Sequence, residues 1–243
     1  MKMKRNNLTK HLSQLALIIS CSFVVACGGN VLKSVEKEDP AEDSVIALEQ
    51  GNPTRAINIL VKALEKDPTQ EVWLSLLGMA YAQRAGVDPL TFVERMATDD
   101  GGGSSGNGLT AFFDIMPEAT TEAIADVDQA IAAMVKIPGD VMKPWDKLKL
   151  AMFQTAAMTL RAKALDKNGD GILSPEEILD LSSDSALAIV TQLAQAAVLF
   201  SGDFGLGSST ASAGARVTSI QSAIDSQPGA TQEERLKNYM ASQ

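Results

Sequence analysis

The chain has 243 residues, 45% of them hydrophobic, with a mean hydropathy of +0.03, which supplies a packed core and excludes an intrinsically disordered protein. Thirty acidic residues face 21 basic ones, a balance that repels nucleic acid and anionic lipid head groups and excludes both as partners. Ala, Leu, Met, Gln, Glu and Lys dominate long stretches while β-branched and aromatic runs are scarce, so the expected fold class is all-α, a helical bundle.

Residues 1–26 are set apart from the rest. Lys2, Lys4, Arg5 and Lys10 make a basic start, and Leu15 to Val25 form an apolar run of secretory length. A membrane-spanning helix needs roughly 20 consecutive apolar residues, and this run is shorter and broken by Ser20 and Ser22, so it reads as an export signal, with an uncleaved anchor as the alternative. It closes on Val24, Val25, Ala26 and Cys27, which resembles the bacterial lipobox. That resemblance implies that Cys27 is acylated, becomes the mature N-terminus and makes the membrane contact through its lipid. Gly28 stands where lipoproteins retained in the inner membrane usually carry Asp, which implies an outer-membrane destination, facing the periplasm or the cell surface.

Cleavage at that point removes His11 and Cys21, leaving a chain without histidine and with one lipid-blocked cysteine. Disulfides, Cys/His zinc sites, Cys-His dyads and Ser-His-Asp triads are then unavailable, and no enzymatic activity is expected. Four basic residues leave with the signal, so 17 basic residues face 30 acidic ones and the mature charge is −13. Residues 27–39, charged and Gly-started, read as a flexible tether spanning roughly 20 Å.

Residues 40–97 are periodic. Val45 and Leu48, a Gly51-Asn52-Pro53 break, then Ala56, Ile59, Leu60, Ala63 and Leu64 before Asp67-Pro68 predict a helix, a tight turn and a second helix. A third helix carries Trp73, Leu74, Leu77, Gly78 and Tyr81. Ala56, Leu60, Ala63 and Pro68, followed by Leu74-x-x-Leu77-Gly78-x-x-Tyr81, resemble about one and a half tetratricopeptide repeats, with a plain helical hairpin as the alternative. The pattern departs at Leu90, where the family's next helix carries a small residue. A piece this short cannot bury a continuous core alone and is expected to pack on later helices.

Residues 98–108, TDDGGGSSGNG, read as a Gly/Ser-rich loop, and 109–243 as a further helical region. There, Ile124, Val127, Ile131 and Met134 predict an amphipathic helix ended by Ile137-Pro138-Gly139, and a longer helix is expected from Lys143 to Leu165. The next helix is expected to start at Ser174, break near Ser182 to Asp184 and resume from Ala186 to Phe200 as the most buried of all. A Gly/Ser-rich break, SGDFGLGSSTASAG, then precedes two short pieces around Val217 to Ile224 and Glu233 to Met240. Glu118, Glu122, Asp126 and Asp128 are read as a solvated helix face rather than a catalytic carboxylate pair.

Asp166 to Glu177, DKNGDGILSPEE, place oxygen donors at the spacing that Ca2+ requires. Asp166, Asn168 and Asp170 supply side-chain oxygens, Gly171 takes the bend, Ile172 offers a carbonyl, Ser174 binds directly or through water, and Glu177 closes the loop. Ser174-Pro175-Glu176-Glu177 is a capping box with proline in the first turn. This is an EF-hand-type loop in a helix-loop-helix setting, with a polar turn as the alternative reading. The sequence holds no second such loop, and three acids among the donors suggest modest affinity, which favours a structural role. The leading functional expectation is a lipid-anchored, calcium-binding scaffold that binds a protein or peptide partner. The alternative is a ligand-binding or accessory lipoprotein of a transport system.

Overall fold

Local signals set most helix ends. In the computed structural model, which describes residues 39–88, 91–92, 108–201 and 208–242, every regular element is helical. The export signal, Cys27, most of the tether and nearly all of the Gly/Ser-rich loop at 98–108 lie outside the described residues. Helix α1 is Pro40–Glu49, α2 Pro53–Leu64, α3 Glu71–Arg84, α4 Thr121–Met134, α5 Pro144–Lys163, α6 Pro175–Leu179, α7 Ser183–Phe200, α8 Ser208–Asp225 and α9 Gln232–Ala241. A 3-10 segment, Gly108–Ile115, precedes α4. Asn52 caps α2 through its side chain, Thr120 caps α4, Ser182 caps α7, and proline opens α2, α5 and α6.

Residues from Pro40 onward form one compact unit in which helices pair mostly in chain order, α1 with α2, α2 with α3, α3 with α4, α4 with α5 and α5 with α7. Helix α3 also packs on α4, across 36 intervening residues. Small residues allow this approach. A Cβ on Gly78 would lie 3.0 Å from Met134 Cγ and Sδ and 3.3 Å from the Ala130 carbonyl, so α3 rides directly on the α4 backbone.

Two ion pairs flank that contact. Asp126 receives Arg84 of α3 at 2.7 and 2.5 Å, and Asp128 receives Arg161 of α5 at 2.9 and 2.7 Å. These aspartates clamp α4 to both neighbours and are not a purely solvated face, because each meets an arginine that the tertiary pairing brings alongside. The Asp126 pairing raises the Arg84 pKa, chiefly by side-chain hydrogen bonding. Ser75, Asp146 and Lys149 form a third bridge, from α3 to α5, with Ser75 Oγ donating to Asp146 at 2.6 Å and Lys149 Nζ donating to Ser75 at 2.7 Å.

The most buried helix is α5, not α7. Thirteen of its 20 residues are buried, including Phe153, Met158 and Leu160, because α4, α7 and the 3-10 segment pack around it. By length and composition α7 is apolar enough to cross a membrane. It buries one stripe, Ala186, Ile189, Val190, Leu193, Ala196 and Phe200, and leaves Leu187 and Val198 exposed. The Gly/Ser-rich stretch after α7 is also partly helical. Ser208 to Gly214 begin the 18-residue α8, and Gly214 is needed because a Cβ there would meet Phe200 Cβ at 3.0 Å.

Candidate metal centre

The loop of residues 164–174 leaves the C-terminal end of α5 and enters α6. Its turns require the left-handed backbone, which Gly169 (φ 71°) and Gly171 (φ 79°) adopt without a Cβ penalty. Asp166 gathers the loop inward, its two oxygens accepting from the Gly169 and Gly171 N–H groups at 2.8 and 2.9 Å. Asn168 Oδ1 accepts from the Asp170 N–H at 3.0 Å, and Asp170 Oδ1 from the Ile172 N–H at 2.8 Å. An oxygen at each of these positions is thus held by the backbone.

Glu177 joins the two ends. One oxygen accepts from the Lys167 N–H at 2.8 Å and the other from the Ser174 N–H and hydroxyl, each at 2.9 Å, while the Ser174 hydroxyl accepts the Glu177 N–H at 3.3 Å. The capping box expected from Ser174 and Glu177 is therefore formed, and it ties the sixth donor of the loop to its second residue. Among the described residues Glu177 is the one charged residue that is buried, 7% exposed. Hydrogen bonds from the Ser174 and Lys167 amides hold its carboxyl below the ordinary value of 4.5. Lys167 in turn reaches Asp180 beyond α6, and that hydrogen bond raises the lysine pKa.

The donor set is all oxygen: carboxylates at Asp166, Asp170 and Glu177, an amide at Asn168, a hydroxyl at Ser174 and the Ile172 carbonyl. Hard oxygen donors on a glycine-bent loop suit Ca2+ rather than a softer metal. The side chains are not gathered on one point. Asn168 Nδ2 donates to Asp170 Oδ2 at 2.9 Å, and among the described residues no three His, Cys, Asp or Glu side chains converge closely enough to hold an ion. Ion binding would exchange the Asn168–Asp170 bond for metal contacts. Residue types and backbone fit the cation, and the side chains keep that rotation to make.

Sequence reasoning missed the surroundings of the loop. The 3-10 segment and the residues after it fold against its outer side, and Lys163 at the end of α5 donates to the Phe113 and Met116 carbonyls at 2.8 and 3.0 Å. Between them opens a cleft of about 470 Å³, with Asp114, Glu118 and Thr120 on one wall and Asp166, Asn168 and Asp170 on the other. No local pattern announced this neighbour, because about 50 residues separate its two walls. Gly86 and Pro117 also lie close, a Cβ on Gly86 falling 3.2 Å from Pro117 Cβ. No protein-family model matches the chain, and no curated protein or solved structure matches it either.

Proposed function

We propose that this chain is a lipid-anchored, calcium-binding helical lipoprotein of the cell envelope that serves as a protein-interaction scaffold, with calcium in a structural role. The observation that carries the calcium part is the closed loop between α5 and α6, where Glu177 bonds back to Lys167 and Ser174 across six oxygen donors. When bound, the ion would supply the positive charge that draws Asp166, Asp170 and Glu177 together and so stiffens the junction of α5 with α6. The anchor rests on Cys27 at the end of the signal-like segment. The scaffold rests on helices stacked in chain order from α1 to α5, an arrangement in keeping with the tetratricopeptide-like residues at Ala56, Leu60, Leu74, Gly78 and Tyr81.

A ligand-binding or accessory lipoprotein of a transport system is the second reading. The cleft beside the loop favours it, since about 470 Å³ lies within the range of small-molecule sites. Thermal melting with added calcium and with chelator, for the wild type and Glu177→Gln, tests the ion. Equal melting temperatures throughout would remove it from the account. Capture of envelope proteins on the immobilised chain, compared with a chain altered on the exposed faces of α1 to α3, separates scaffold from ligand carrier.

A further inference from the structure

We propose that the end of the bundle where α4 joins α5 seats in the head-group layer of the membrane to which the chain is tethered. The turn between these helices is tight. Val141 and Met142 both donate their N–H groups to the Pro138 carbonyl, at 3.1 and 2.9 Å, and Ile137 and Met142 are buried in the core. Other apolar side chains of the same turn stay outside: Val135 is 57% exposed, Val141 43% and Trp145 42%. Helix α3 begins beside them. Ser75 donates to Asp146, the residue after Trp145, at 2.6 Å, and Val72, one turn before Ser75, is 45% exposed. Trp145 is the only aromatic among the exposed large apolar side chains of the described residues.

The occupant follows from which end of the bundle this is. Arg84 meets Asp126 and Gly78 lies against Met134, so α3 and α4 run antiparallel and α3 starts where α4 ends. Gln83, near the end of α3, donates to the Leu48 carbonyl, near the end of α1, at 3.2 Å, so these two helices finish together and begin at the opposite end. Pro40, where the tether read from the sequence enters α1, is therefore at the same end as Trp145. A tether spanning roughly 20 Å keeps this end nearest to the lipid on Cys27, and the proposal rests on that anchor. The side chains suit the layer. Tryptophan favours the boundary between acyl chains and head groups, and lysine lays its stem along apolar surface with its amine among the phosphates. Lys136, Lys143 and Lys147 flank the patch, against Asp140, since Asp146 is engaged by Lys149 and Ser75. The chain as a whole is acidic and gains no long-range attraction to an anionic surface. Tethering removes that need, because it turns a weak contact into an intramolecular one at an effective concentration of about millimolar. The patch then orients the body: α5, 20 residues and about 30 Å long, carries the candidate calcium loop at its far end, away from the bilayer.

The chain has two tryptophans, so Trp73→Phe leaves Trp145 as the only one. The full chain with this substitution, reconstituted in phosphatidylcholine vesicles that contain brominated lipid, reads the contact by fluorescence quenching, and flotation of the same samples reads the anchor. The chain is expected to float, with Trp145 emission shifted to the blue. Bromines near the head groups are expected to quench it several-fold more than in a chain that also carries Val135→Asp and Val141→Asp. Both valines are exposed, so these two substitutions spare the core. A chain that floats with Trp145 unquenched overturns the proposal and leaves the anchor standing. Quenching that the two aspartates leave unchanged overturns it as well. A chain that stays behind when the vesicles float removes the anchor, and this contact with it.

Discussion

Gly78 tests the pairing of α3 with α4, on which the order of the helices depends. Replacing it with alanine adds a Cβ 3.0 Å from Met134 Cγ and Sδ and 3.3 Å from the Ala130 carbonyl. Met134 is fully buried, so its flexible end has no open space to enter, and the carbonyl belongs to the α4 backbone. Overpacking of this kind costs about 1–3 kcal/mol. Alanine in place of glycine within a helix returns about 1 kcal/mol, so the net loss is expected to be about 0–2 kcal/mol. Met134→Ala alone leaves a cavity and costs about 2–5 kcal/mol. In the double substitution the added methyl enters that cavity, and the total loss is expected to fall short of the sum by about 1–2 kcal/mol. Urea denaturation of the four proteins measures this coupling. Strict additivity, together with a Gly78→Ala chain about 1 kcal/mol more stable than the wild type, would mean that α3 and α4 do not meet at this point.

Calcium at about 10 mM against a Kd in the range of about 10⁻⁴ to 10⁻³ M adds about 1.4–2.7 kcal/mol by mass action. The melting temperature should then rise by about 3–10 °C in the wild type and by much less in Glu177→Gln. In chelator, the Glu177 carboxyl has a folded-state pKa below 4.5, so its contribution is complete above that pH and is lost as pH falls through the folded value. The gap in melting temperature between wild type and Glu177→Gln should therefore hold steady above pH 4.5 and narrow below it. A gap unchanged in strong acid would contradict this. At the other end of the scale, burial pushes the Tyr239 phenol up to about 12, opposed by a hydrogen bond with the Leu109 backbone. A raised pKa means stability that is intact below pH 10 and lost as pH rises toward 12. Tyr239→Phe should flatten that alkaline loss, measured as the difference between the two melting curves.

Much of the candidate site is written within a few residues of itself. Ser174 and Glu177 are three apart, Asp166 bonds amides three and five residues on, and Gly169 and Gly171 take the turns that only glycine takes easily. Such interactions close within one turn of chain, so sequence order alone brings the groups together. The Asn168–Asp170 bond was not legible, because the same two side chains are equally placed to turn toward an ion. The cleft wall at Asp114 and Glu118 was not legible either, since it reaches the loop only through the folded path of the intervening helices.

By itself, the sequence determined that the chain is helical and where most of its helices begin and end. Asn52 before Pro53, Ser174 before Pro175 and Thr231 with Glu234 are caps that work wherever the helix is later placed. Tertiary structure alone decided which helices meet. The packing of α3 on α4, the burial of α5 on several sides, the arginines that reach Asp126 and Asp128, and the helical use of Gly214 all depend on residues brought together from elements apart in the chain. The reason is physical. A cap is settled by donors and acceptors within four residues, whereas a packed face accepts any apolar partner of the right shape, and only the closed core selects one.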